Sequence, residues 1–270
     1  METFQLWDEG KVPGECQEAP VIEYYPAEKK TSSATVIILP GGGYWVRCKY
    51  EGASYAKYFN TIGMDAFVVE YRVTPHKFPT QLMDARRAIR FVRFNAEKFG
   101  IDKDRVGLMG SSAGGHLTAL TATYTKDIDL EVGDEIDKMD YMPNATILCY
   151  PVICSPDSLV AHEGSFKTIL GNAKLCTASE YSCERNVSDT TPTAFIWHTS
   201  NDNTVNVCNS LRYGEALRMH NIPFEMHIFP EGNHGLGLAS DNMHVAQWVP
   251  LLHNWLEDKG WLKGKIQKPE

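Results

Sequence analysis

The sequence predicts an α/β domain built on a mostly parallel sheet with helices on both faces. Three observations carry this. Short apolar runs rich in branched residues recur along the 270 residues, helical patterns separate them, and glycine- or proline-bearing loops follow the runs. The chain is 43% hydrophobic, enough for one large core, and no low-complexity linker or fixed-period repeat divides it, so residues 1–270 are expected to form one domain.

The first strand expected is residues 34–39 (ATVIIL), a continuous apolar run that stops at Pro40-Gly41-Gly42-Gly43. Residues 53–62 read as a helix and 65–71 (DAFVVEY) as a second buried strand. From 81 to 99, apolar residues at Leu82, Ala85, Ile89, Val92, Ala96 and Phe99 fall at steps of three and four, which places them on one helix face. Gly100 supplies the stop. Strands follow at 105–109, 145–150, 193–199 and 223–229. Helices are expected at 112–125, near 210–220 and at 241–257. About forty residues between 150 and 193 break the rhythm, with helix-like pieces around 165–170 and 178–185. An insertion of this size is usually functional, so 155–190 is expected to form a small lid.

Composition restricts function. A formal net charge of -8 disfavours nucleic acid and anionic membrane surfaces as partners. No apolar run approaches the ~18–20 residues needed to span a bilayer. Residues 1–10 lack a basic start followed by an apolar stretch, so no secretory leader is expected. The seven cysteines are scattered without C-x-x-C spacing and read as free thiols. Together these features lead to the expectation of a cytoplasmic protein. No H-E-x-x-H occurs, and no metal or cofactor is expected.

Gly110-Ser111-Ser112-Ala113-Gly114 fits G-x-S-x-G between a strand and a helix. Small neighbours let the chain reverse sharply, so that Ser112 stands exposed where the helix's free N–H groups begin. Serine needs an adjacent base. Of nine histidines, His234 lies in the Gly-rich loop after the last strand and can reach the sheet's carboxyl edge. His116, His198, His227 and His244 fall on expected helices or strands and read as packed or surface residues. Asp202, the one acid in the loop after 193–199, is placed to orient the imidazole. Backbone donors for a developing oxyanion are expected from Ala113 and from Gly42 and Gly43. Tyr44 and Trp45, with Tyr71 and His198, either line a substrate site or pack in the core; Tyr44 and Trp45 are taken as candidate substrate contacts.

With these residues in hand, the chain resembles the acetyl esterase and acetylxylan esterase branch of the α/β-hydrolases, close to the hormone-sensitive-lipase-like esterases. The resemblance rests on Leu39-Pro40-Gly41-Gly42-Gly43-Tyr44, Val69-Glu70-Tyr71-Arg72-Val73, residues 108–120, Trp197-His198-Thr199-Ser200-Asn201-Asp202 and Asn233-His234-Gly235-Leu236. It implies an α/β-hydrolase fold, the triad Ser112, Asp202 and His234, and an acetylated sugar such as a xylo-oligosaccharide as the small-molecule substrate. Two departures stand out. Pro40 replaces the histidine of His-Gly-Gly-Gly, and Val205-Asn206 replaces the Val-Pro common after the acid. A lipase or peptidase on the same fold, or a noncatalytic ligand-binding relative, are the rival readings. The mostly polar stretch 157–187 argues against a lipase lid.

Overall fold

The computed structural model describes residues 1–14, 19–128 and 132–262. Its frame is an eight-stranded sheet in the order β1-β2-β4-β3-β5-β6-β7-β8. The strands are β1 (Glu2–Gln5), β2 (Val21–Tyr25), β3 (Thr35–Leu39), β4 (Asp65–Glu70), β5 (Val106–Ser111), β6 (Ala145–Cys149), β7 (Thr193–Thr199) and β8 (Phe224–Phe229). β1 and β2 pair antiparallel, as do β2 and β4, whereas β3 to β8 run parallel. This is the mostly parallel α/β-hydrolase sheet.

Alternation along the strands assigns the two faces. Ile37 and Leu39 point into one core with Phe67, Leu108 and Ile196; Val36 and Ile38 point into the other with Val68, Met109 and Trp197. The first face is covered by α2 (Thr80–Phe94) and α4 (Ala113–Thr123) through Leu82, Ile89, Leu117 and Leu120, and by α6 (Cys208–Met219) through Tyr213 and Leu217. The second is covered by α1 (Ala53–Thr61) and α7 (Trp248–Asp258), where the Trp248 ring stacks on Trp197 at 5.1 Å. Burial on both faces explains why these strands read as unbroken apolar runs.

The structure corrects several element boundaries. The helix expected over 81–99 divides at Asn95 into α2 and α3 (Ala96–Phe99), where the Asn95 side-chain amide donates to the carbonyl of Phe91 and competes with the helix ladder. The helix expected from 241 begins only at Trp248, after a 3-10 turn at Val245–Gln247. Pro250 dictates this, because proline is tolerated only in a first helical turn. Within 155–190, α5 (Glu163–Leu170) forms, but the piece expected at 178–185 is 3-10 turn, over Asn172–Tyr181 and Cys183–Arg185. β1 (ETFQ) and β2 (VIEYY) were not expected: they are short, and each is defined by pairing rather than by an unbroken buried run. Cys48, Cys149, Cys154, Cys183 and Cys208 are free thiols, and Cys16 lies outside the described residues. Among the described residues no helix is long and apolar enough to cross a membrane.

Candidate active site

Ser112 is the hinge between β5 and α4. Its backbone sits at φ 53°, ψ −119°, a conformation costly for a residue with a side chain. Three hydrogen bonds hold it there: its N–H donates to Cys149 O at 3.0 Å, and its carbonyl accepts from His116 N at 3.0 Å and Val152 N at 3.1 Å. The turn tolerates only glycine at 114, where a Cβ would fall 2.0 Å from Leu39 O. That contact seats the start of α4 against the end of β3 and its glycine loop. Ser111, one position earlier, is fully buried and hydrogen-bonded to the Tyr55 hydroxyl at 2.9 Å, so it faces away from the cleft.

The loops after β7 and β8 bring two partners to Ser112. His234 Nε2 lies 2.8 Å from Ser112 Oγ, and His234 Nδ1 lies 2.7 Å from Asp202 Oδ2. Asp202 Oδ1 accepts from the N–H groups of Thr204 and Val205, each at 2.9 Å. Burial alone would raise the Asp202 carboxyl, but hydrogen bonds from His198 and His234, the charge of His234 and the Val205 N–H outweigh it and hold the group well below the usual carboxylate range.

Around this line the chain forms a cleft of about 180 Å³ whose wall includes Gly42, Gly43, Ser112 and His234. Gly42, at φ 128°, makes a turn closed by Trp45 N and Val46 N donating to Gly42 O. A Cβ there would strike Val46 O at 2.2 Å. The loop's own hydrogen bonds start from Trp45, Val46 and Cys48 rather than from Gly42 or Gly43. Ala113, as the first residue of α4, has an N–H with no acceptor inside the helix.

Of the aromatic candidates, Tyr44 needs correction. Tyr44 is fully buried, with its hydroxyl 2.7 Å from His116 Nδ1 and its ring edge-on to Tyr71; it packs behind the glycine loop and does not face the cleft. Tyr71 is also buried and donates to Pro40 O at 2.6 Å. Trp45 is 63% exposed and stands beside Gly43 outside the cleft wall. His198 is buried between Ser210 Oγ at 2.8 Å and Val205 O at 2.9 Å, and supports the acid loop rather than a ligand.

Residues without a sequence signal complete the cleft: Cys48, Tyr50, Glu51, His162 and Thr204. His162 comes from the insertion. Its Nδ1 accepts from Ser165 N at 3.3 Å and lies 2.9 Å from Ser165 Oγ. An amide can only donate, so Nδ1 is unprotonated and the neutral ring carries its proton on Nε2. Burial and the nearby His234 lower the His162 pKa, with Asp202 opposing, so the ring is neutral at pH 7. The one of these with a positional hint is Thr204, two residues past the acid.

Comparison with known proteins agrees with this architecture. The BD-FAE family profile matches residues 23–217. The chain is 39% identical over 213 residues to endo-1,4-beta-xylanase B of Butyrivibrio fibrisolvens, covering 76% of this chain and 33% of that protein. It is 32% identical over 264 residues to an acetylxylan esterase of Xylanibacter ruminicola, covering 94% and 50%. The chain thus spans between a third and half of the length of these relatives. Among solved structures, an acetyl ester-xyloside bifunctional hydrolase from Caldicellulosiruptor lactoaceticus superposes with a TM-score of 0.88 at 40% identity, covering 96% of this chain and 97% of that one. On the profile match and this full-length likeness, the chain belongs to the BD-FAE family of α/β-hydrolase-fold proteins.

Proposed function

We propose that the protein is a serine esterase that hydrolyses short acyl esters, acetyl esters of xylo-oligosaccharides foremost, through an acyl-enzyme on Ser112. The observation that carries this is the unbroken line Ser112 Oγ, His234, Asp202, at 2.8 and 2.7 Å, opening into a cleft. A cleft of about 180 Å³ lies below the ~300–1,000 Å³ of drug-sized ligand pockets and suits a small acyl group. The names of the Xylanibacter and Caldicellulosiruptor proteins support a xyloside as the alcohol half of an acetyl ester.

In this mechanism His234 takes the Ser112 proton as Oγ attacks the ester carbonyl. Asp202 holds Nδ1–H and stabilises the imidazolium. The N–H groups of Gly42, Gly43 and Ala113 receive the negative charge that develops on the carbonyl oxygen. The alcohol leaves with the proton from Nε2. Water then repeats the sequence, activated by His234, and releases the acid and Ser112. We read residues 1–270 as one domain, with 155–190 as a lid-like wall that contributes His162 to the substrate side. Trp45 is read as a rim contact. The net charge of -8 argues against nucleic acid and anionic membrane surfaces as partners, and the scattered cysteines support a reducing, cytoplasmic location.

The experiment is acetate release from acetylated xylo-oligosaccharides set against p-nitrophenyl esters of increasing chain length. The expected result is activity on the acetylated sugars and a steep fall beyond short acyl chains. Preference for long chains, or hydrolysis of aminoacyl amides instead, refutes the proposal.

A further inference from the structure

The buried carboxylate of Glu51 has no part in the proton relay, yet it lies in the cleft wall and is only 2% exposed. Its two oxygens face two different loops. Oε2 accepts from the N–H of Gly41 at 2.8 Å, at the root of the glycine loop. Oε1 lies 2.6 Å from the hydroxyl of Tyr150. That hydroxyl in turn accepts from the N–H of Gly237 at 3.0 Å, three residues beyond His234. The directions follow from chemistry. Both amides can only donate, so Tyr150 receives the Gly237 hydrogen bond and gives its own proton to Glu51.

Tyr150 is committed to this place. It follows β6 with a φ of 37°, its N–H donates to Trp197 O at 2.8 Å, and its ring stands edge-on to the His234 imidazole at 5.0 Å. Tyr50, the neighbour of Glu51, donates to Gly235 O at 3.0 Å and makes a second tie to the same loop.

We propose that Glu51 is a positioning residue that links the glycine loop at Gly41 to the His234 loop through Tyr150 and sets a second buried carboxylate in the cleft wall that His234 also lines. The inference rests on the assignment of His234 as the base. The Glu51 pKa is raised, because burial outweighs the Tyr150 and Gly41 hydrogen bonds, the charge of His234 and the Tyr50 hydroxyl, which act in the opposite direction. The other titratable groups that sense Glu51 are the phenols of Tyr50, Tyr55, Tyr71 and Tyr150 and the thiols of Cys48 and Cys149, all raised by burial and neutral at pH 7. Asp202 and His162 also act on the region around the imidazole. Glu51 is therefore placed to share with Asp202 the stabilisation of imidazolium, and to hold the base and the oxyanion donors in one frame.

The test is Glu51→Gln, in which the amide oxygen can still accept from Gly41 while the amide N–H turns to the Tyr150 hydroxyl, reversing that hydrogen bond and sending the phenol proton elsewhere. The charge is lost and the contact with Tyr150 is kept with its direction reversed. The deciding readout is the NMR titration of His234 in the intact protein. Removal of a nearby anion disfavours imidazolium, so the midpoint in E51Q should move to lower pH by roughly half a unit to one unit. With p-nitrophenyl acetate, kcat should fall by about tenfold or more, KM should stay within about threefold, and the acid limb of kcat/KM should move with the NMR midpoint. Tyr150→Phe leaves the carboxyl group in place and cuts the link, so it should lower kcat with a smaller move of the midpoint than E51Q gives. An unmoved His234 midpoint in folded E51Q overturns the proposal. Wild-type protein that turns over no ester would refute the esterase reading alone, because the NMR comparison judges Glu51 without turnover.

Discussion

His198 Nε2 lies 3.3 Å from Asp202 Oδ2, the same oxygen that His234 Nδ1 reaches at 2.7 Å. Because Val205 O can only accept, the hydrogen between it and His198 is on Nε2, and that N–H also points at the carboxylate. His198 thus anchors the acid from behind while remaining fully buried. Replacing His198 with Phe leaves Asp202 short of a donor and Val205 O unpaired. We expect a loss of about 1–3 kcal/mol in stability and about tenfold or more in kcat. Thermal unfolding and kcat measured together check this; an unaltered kcat in the folded variant would refute the anchoring role.

Ser112→Ala should fold normally, since the alanine side chain fits the turn, and should lose p-nitrophenyl acetate hydrolysis by on the order of 10³–10⁶-fold. It should also resist labelling by a fluorophosphonate probe. Retained labelling would move the nucleophile elsewhere.

Asp202→Asn presents an amide to His234 Nδ1 and favours the wrong tautomer. Activity should drop by on the order of 10³–10⁴. Steady-state kinetics on the purified variant give the number, and a drop below about tenfold contradicts the orienting role.

His162→Ala removes an Nε2–H donor from the cleft wall without touching the relay. For acetylated xylo-oligosaccharides kcat/KM should fall about tenfold, the worth of roughly one hydrogen bond, while p-nitrophenyl acetate should change little. Equal losses on both substrates would mean that His162 does not read the sugar.

Asp134 forms a fork with Arg87, with Nη2–Oδ2 at 2.6 Å and Nη1–Oδ1 at 2.7 Å. The Arg87 hydrogen bond, acting against burial and helped by the N–H of Asp137, lowers the Asp134 pKa to about 2. A lowered carboxyl stabilises the fold above its unfolded value of about 4, and that stability disappears as pH falls toward the folded value. Asp134 is partly exposed and Arg87 also contacts Asp137, so Asp134→Asn should cost only about 1 kcal/mol at pH 7. Denaturant melts at several pH values should show the gap between variant and wild type closing from pH 4 downward. A constant gap would exclude the pairing as its source.

The parts of the site that were legible in sequence are those with local grammar. Ser112 sits in a five-residue turn signature, and Asp202 and His234 each follow an apolar strand, so their meeting could be expected from chain order. Glu51 has no such mark. It lies in a 3-10 turn at Lys49–Glu51, and its importance arises from Tyr150 and Gly237, about a hundred and nearly two hundred residues away. Tyr44 misled because an aromatic beside a glycine loop resembles a ligand contact; a φ of 64° instead sends its ring inward to His116. The strands β1 and β2 escaped because β1 pairs only with β2, β2 joins the sheet through the distant β4, and their own residues are mostly exposed or half exposed.

Ser112 follows β5 and His234 follows β8, three strand spacings apart, or about 14 Å. The chain after β8 must therefore lean back across two neighbouring strands to bring Nε2 to Oγ. It is held by a few side chains: Thr199 to Gly232 O at 2.9 Å, Asn201 to Gly232 N at 2.8 Å, and the Tyr50 and Tyr150 hydroxyls further on. On warming, this cantilever should come loose while the strands beneath it stay zipped, so the catalyst would fall silent some degrees before the scaffold melts.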